Sequence, residues 1–177
     1  MTLREIIEKR QSNRKYKPDI ISREQIMQCI TAAHLAPSAC NAQAWKFIIV
    51  DEPSIRQQVA EAANDMGMNK FVAQAPVIIV AVMESANATS KIGSTIKRKD
   101  YTNIDMGIAV ENICLQATEL GLGSCIIGWF NERQVKKLLG IPFTKRVPLL
   151  ITLGYPDDQP RARNRKKLES IYSYNKY

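Results

Sequence analysis

The chain has 177 residues, with 25 Lys and Arg against 17 Asp and Glu, a formal net charge of +8, and 45% apolar and 24% charged residues. That suits one globular domain with a sizeable core, and no low-complexity tract or fixed-period repeat interrupts it. Four cysteines without a CxxC pair and a single histidine, His34, argue against a zinc site, and the longest apolar run, Ala75–Met83, is far short of a membrane span.

The amino terminus, MTLREIIEKRQSNRK, lacks the apolar core and cleavage site of a secretory signal, so the cytoplasm is the expected compartment, with Cys29, Cys40, Cys114 and Cys125 reduced and partly buried. Thr2 and Glu5 form a capping box that opens a helix to about Arg10. Ser22 and Gln25 form a second one, for a helix that aligns Ile26, Ile30 and Ala33 and ends near Pro37. His34 near that end suits the helix dipole and reads as structural. A strand is predicted over Lys46–Val50, followed by a turn and a helix over 55–66 capped by Ser54. Val77–Met83 is β-branched and continuously apolar, the pattern of a central strand covered on both faces.

Residues 85–102, SANATSKIGSTIKRKDYT, read as a long loop of the kind that forms lids or binding segments, with Tyr101 placed to line a pocket. A buried helix is predicted over Asn103–Leu120, with Ile104, Ile108, Cys114 and Leu115 among small residues and Gly121 as its stop. Ser124–Trp129 is a strand, Asn131 caps a helix to Leu139 before Gly140, and Val147–Tyr155 is the last strand. The expected architecture is α+β: a single domain over 1–177, a three-layer α-β-α sandwich with a central mixed sheet. Residues 156–177 form a charged carboxy-terminal arm that lies across another surface, such as a second subunit.

Several catalytic signatures are missing. Gly121-Leu-Gly123 follows a helix and enters a strand, the reverse of a dinucleotide loop, and has Ile126 where the third glycine belongs. There is no GxxxxGK[ST], no GxSxG, and one histidine at a helix end argues against a Ser-His-Asp triad. Basic residues gather near both ends, including Arg10, Arg14 and Lys15, then Arg161, Arg163, Arg165, Lys166 and Lys167. They read as a solvated face, or as two clusters converging on one phosphate; no nucleic-acid-binding signature accompanies them. Without an evident nucleophile, metal or base, the chemistry points to a cofactor. Arg10–Arg14 offers two guanidinium forks and a hydroxyl, while Pro37–Gln43 offers backbone amides and two side-chain amides. A flavin mononucleotide needs that mixture.

RQSNR, APSACNAQAWKF, NIDMGIAVENICLQATELGLGSCIIGWF, LLGIP and LITLGYP, in this order over almost the whole chain, resemble the short, single-domain members of the nitroreductase-like FMN oxidoreductases. Each piece alone is weak; their ordered co-occurrence is specific. The resemblance implies FMN at the interface of an intertwined homodimer. It implies Arg10, Ser12 and Arg14 at the phosphate and ribityl chain, with Gln11 departing from the usual Arg-Arg-Ser. Pro37, Ser38, Ala39 and Asn41 match the loop that reaches the ring from the partner subunit. Gln43 matches the segment after it, where Ala44 replaces the family's proline and Trp45 reads as packing.

Asn69, with Lys70 as its competitor, matches a flavin-contacting residue, and Ile127-Gly128 match the strand end whose amide meets the reactive nitrogen. Arg163 and Arg165 match a carboxy-terminal pair that reaches the phosphate, and read equally well as a solvated tail. No side chain is implied as a catalytic acid or base, no metal is implied, and Cys40 receives no redox role. The implied activity is ping-pong: NADH or NADPH reduces the flavin, and a small-molecule acceptor such as a quinone or nitroaromatic reoxidises it, without nucleic acid or membrane. Other readings are a basic nucleic-acid-binding domain, a flavin-storing or sensory protein, or a specialised flavin enzyme of the same superfamily such as a reductive dehalogenase. The last needs lid segments for which so short a chain has little room.

Overall fold

A computed structural model describes residues 1–85 and 100–177. Its elements are α1 (Leu3–Lys9), α2 (Arg23–His34), β1 (Trp45–Val50), α3 (Pro53–Ala63), β2 (Val77–Met83), α4 (Tyr101–Glu119), β3 (Gly123–Ile127), α5 (Glu132–Leu138) and β4 (Arg146–Gly154). Both capping boxes form. The Glu5 carboxylate accepts from Thr2 N at 2.7 Å while Thr2 Oγ1 accepts from Glu5 N at 3.3 Å, and Ser22 and Gln25 exchange the same pair at 3.2 Å each.

Two helices begin earlier than predicted. The cap of α3 is Glu52, not Ser54: its carboxylate accepts from Ser54 N (3.1 Å) and Ile55 N (2.9 Å), and Pro53 occupies the first turn, where a missing N–H costs nothing. Asp100 accepts from Asn103 N at 3.1 Å and so starts α4 at Tyr101, which leaves the expected loop for the helix. Residues 86–99 of that loop lie outside the described residues. No described helix is long and apolar enough to cross a membrane.

The sheet has the order β1-β2-β4-β3, and every pairing between its strands is antiparallel, which corrects the expected mixed sheet. Alternating helices and strands suggest parallel crossovers, but each crossover here makes a second pass. After α3, the 3-10 segment Lys70–Gln74 brings the chain back, so β2 starts beside the end of β1, with Val50 opposite Ile78. The segment after α5 does the same, and β4 starts beside the end of β3, with Ile127 opposite Leu150. Among the described residues, the single parallel contact is an isolated bridge between Ser12 and Ser124.

Three layers form as expected. β2 is buried along all but its last residue. On one face Ile79, Ile151 and Leu153 pack under α2 and α4 through Cys29, Ala33, Val110, Ile113 and Cys114. On the other, Ile78, Val80 and Leu150 pack against α3 and α5 through Val59, Ala63 and Val135. The buried side of α4 is only partly the one the sequence suggests: Cys114 is buried, but Ile104 and Ile108 are 54% and 38% exposed, and Met106, Val110, Ile113 and Ala117 face the sheet in their place. This helix has two apolar sides, and the described residues bury one.

Burial pushes the Cys29 thiol up from 9.0 to about 12 and Cys114 to about 11. Above pH 9 the unfolded chain releases protons that the folded one retains, so stability falls from pH 9 toward 12, by at most about 1.4 kcal/mol per pH unit and thiol. Replacing both by alanine should flatten this alkaline limb of a Tm-against-pH series; an unchanged slope refutes the assignment.

Candidate functional site

The segment after α1 is tied to β3, β4 and the carboxy-terminal arm. Asn13 N donates to Ser124 O at 2.8 Å, laying residues 12–13 against the outer side of β3. The buried Asn13 side chain donates to Asp158 Oδ1 at 2.6 Å, and Asp158 Oδ2 accepts from Arg14 N and Arg161 Nη2, each at 3.0 Å. The Tyr16 hydroxyl donates to Asn13 O at 2.8 Å and lies 2.7 Å from the Thr152 hydroxyl; burial pushes this phenol upward, so it stays protonated. Two glycines make room. A Cβ at Gly123 would meet Asn13 Cγ at 2.7 Å, and one at Gly154 would meet the Tyr16 ring at 2.5 Å.

The basic clusters from opposite ends of the chain do meet here. Arg10 Nε stands 3.7 Å from Glu111 on α4, and the Arg14 guanidinium lies 6.0 Å from the centre of the Phe71 ring. Arg163 crosses back to α1, where Nη2 donates to Ile7 O at 2.8 Å and to Arg10 O. Part of its donor capacity thus satisfies carbonyls left open at the helix end. Arg165 lies farther along the exposed arm.

β3 is an edge strand whose outer side is only partly used. Because Ser124 O turns outward to Asn13, the alternation of an antiparallel pair turns the main-chain groups of Ile126 outward as well, and Gly128 follows the last paired residue, Ile127. The edge from Ser124 to Gly128 runs about 13 Å. Asn69 borders its far end: Nδ2 donates to Ala63 O (3.1 Å) and Trp129 O (2.8 Å), fixing the backbone just past Gly128. At Gly128 the nearest atom to an added Cβ is Leu149 Cδ2 at 3.9 Å, so the chain itself does not demand glycine there. Arg10, Ser12, Arg14, Asn69, Ile127, Gly128 and Arg163 are therefore gathered around one edge.

The remaining predicted residues are not. Pro37, Ser38, Ala39, Asn41 and Gln43 lead into β1, the opposite edge of the sheet, three strand spacings or about 14 Å away. Their loop is strained: Cys40, Asn41 and Gln43 have φ of 52°, 50° and 45°, in the left-handed region. Ser38 Oγ accepts from Gln43 N at 3.0 Å, Gln43 Nε2 donates to Asn41 Oδ1 at 3.0 Å, and the buried Asp105 of α4 accepts from Ala39 N at 3.0 Å. Ala44, 3% exposed, is fixed by its carbonyl, which accepts from Glu84 N at 3.0 Å. The path there is set without the family's proline. Trp45 packs half-buried against the core.

The organising residues Asn13, Asp105 and Asp158 were not found by sequence reasoning. Asp105 left a signal, a lone carboxylate in the apolar stretch NIDMGIAV; Asn13 and Asp158 are 145 positions apart and left none.

Residues 7–155 match the profile of the nitroreductase family. The chain belongs to that family. It is 32% identical to a putative NADH dehydrogenase/NAD(P)H nitroreductase of Archaeoglobus fulgidus, over 85% of this chain and 83% of that one. An FMN-dependent nitroreductase of Clostridium difficile R20291 superposes with a TM-score of 0.79 at 28% identity, covering 97% and 98% of the two chains. An iodotyrosine deiodinase of Thermotoga neapolitana is 26% identical over 99% of this chain and 98% of that relative. Its comparable length corrects the expectation that a short nitroreductase-family chain lacks room for dehalogenase chemistry. The family match covers the β3 edge and the Pro37–Gln43 loop and stops before the arm that holds Asp158, Arg163 and Arg165.

Asp158→Ala removes one acceptor from three donors. It should cost about 1–3 kcal/mol, read as a lower denaturation midpoint at an unchanged m value; a midpoint equal to wild type would show that the arm is held elsewhere.

Proposed function

We propose that this chain is an FMN-dependent NAD(P)H oxidoreductase whose flavin lies along the outer edge of β3. The observation that carries this reading is the edge itself, which Asn13 pairs at Ser124 and no described residue pairs through the backbone at Ile126, with guanidinium groups at its start and no side chain at its end. Arg10 and Arg14 would hold the phosphate, with Arg163 and Arg165 supplying further charge from the arm, and Ser12 would face the ribityl chain. Ile127 carries its N–H inward to β4, so the amide of Gly128 would be the donor at the ring's reactive nitrogen. FMN held there would supply two-electron redox chemistry between NADH or NADPH and a small acceptor such as a quinone or nitroaromatic. The protein's part is to orient the ring, stabilise its negative charge through main-chain donors, and leave one face open. Solvent supplies protons, so no side chain is assigned as acid or base.

The loop Pro37–Gln43 sits on the wrong edge to serve the same flavin, and this supports a homodimer in which a second copy supplies it. Asp105 ties that loop to α4, whose uncovered residues Ile104 and Ile108 offer the apolar surface for pairing. The arm over 156–177, with exposed Ile171, Tyr172 and Tyr174, would lie on the partner. A second reading, reductive dehalogenation of a halogenated phenol, is favoured by the similarity to the Thermotoga deiodinase. Iodide release from iodotyrosine, measured beside nitroaromatic reduction, separates the two.

Purified protein should be yellow, dimeric, and bleached by NADH or NADPH. Colourless protein that takes up no added FMN overturns the reading, and a monomer that holds FMN overturns the shared site. Gly128→Val and Arg10→Ala should each lower FMN retention about tenfold with Tm within a few degrees of wild type; undiminished retention in both removes these residues from the site.

A further inference from the structure

The corner where α5 meets β4 holds a second concave surface, of about 550 Å³, lined by Arg133, Lys136, Lys137, Arg146, Phe143 and Glu132 among others. Its size lies within the range of small-molecule sites. Four cations face one carboxylate, and that carboxylate is engaged: Glu132 Oε1 accepts from Val147 N at 2.8 Å and lies 3.6 Å from Arg146 Nε. Lys136 is used structurally. Its ammonium donates to Phe143 O and Lys145 O, both at 2.7 Å, folding the loop so that the Phe143 ring stands 89% exposed. Arg133 and Lys137, one helical turn apart on α5, have no carboxylate within ion-pair distance among the described residues.

A bare aromatic face beside two uncompensated cations matches a flat heterocycle that carries phosphate. The placement fits as well. β3 ends and β4 begins at the same end of the sheet, with Ile127 opposite Leu150. Arg133 follows Gly128 by five residues, so their Cα atoms are at most about 18 Å apart, a length that an extended dinucleotide spans.

We propose that this corner binds the phosphorylated adenosine half of the nicotinamide donor, with Phe143 against the adenine and Arg133 and Lys137 on the phosphates. The excess of positive charge selects the donor with the additional 2′-phosphate, NADPH over NADH. The direction of the donor from this corner toward Gly128 rests on the flavin site proposed above; the adenosine subsite itself can be read without it.

The probe is adenosine 2′,5′-bisphosphate, titrated calorimetrically into the purified protein and into the surface variants Arg133→Glu/Lys137→Glu and Phe143→Ala. Wild type should bind it, and the charge-reversed variant about tenfold more weakly, with unchanged FMN absorbance. In turnover, the ratio of KM for reduced nicotinamide mononucleotide, which lacks the adenosine half, to KM for NADPH should fall by a similar factor in that variant. Equal bisphosphate affinity in wild type and double variant, no binding to flavin-loaded wild type, or an unmoved KM ratio overturns the proposal. Colourless protein that takes up no FMN yet binds the bisphosphate through Arg133 and Lys137 overturns the flavin site and sustains this one.

Discussion

The edge of β3 depends on one carboxylate. Asp158 accepts from a side-chain amide, a main-chain N–H and a guanidinium that arrive from opposite ends of the sequence. Such charge-assisted bonds to a side chain only 10% exposed are worth more than surface ion pairs, because little water competes for them. The result is that residues 10–16, which carry no regular secondary structure beyond two isolated bridges, run along a fixed line beside the sheet. Gly123 and Gly154 belong to the same device, since any side chain at either would push that line away.

What could be read from the sequence divides along physical lines. Thr2 with Glu5 and Ser22 with Gln25 were legible because a capping box is complete within four residues, and β2 because seven apolar residues in a row have few other uses. Strand direction was not legible, because it is decided by how many passes a connection makes, and the return segments Lys70–Gln74 and 139–145 have no strand or helix pattern of their own. Nor was the covered side of α4, a helix with two apolar sides. At the candidate site, the basic and glycine positions around β3 were legible through resemblance, and they converge. That the loop Pro37–Gln43 sits across the sheet from them appears only once the strand order is known.

That loop is built to keep its shape. In the left-handed region Cys40 and Gln43 cost about 1–2 kcal/mol each, Asn41 less, and the strain is held by Ser38, by the Asn41–Gln43 pair and by Asp105 beneath. A buried carboxylate on an apolar helix is costly unless it has a donor to meet, and the amide of Ala39 is that donor. Loop and helix therefore present a single rigid surface, with Ile104 and Ile108 alongside.

The outward main-chain groups at Ile126 have an evolutionary consequence. A peptide N–H offers the same donor whatever side chain it carries, so an edge that recognised its ligand through the backbone, as proposed, would leave Cys125 and Ile127 answerable to the core alone. Cys125 and Ile127 point into the packing against α3 and α5, and can drift among apolar residues of similar volume while the edge stays constant. In the proposed flavin site, ligand recognition at β3 would thereby be uncoupled from most of its sequence, with Gly128 the one position where an added side chain would meet the ligand rather than the protein.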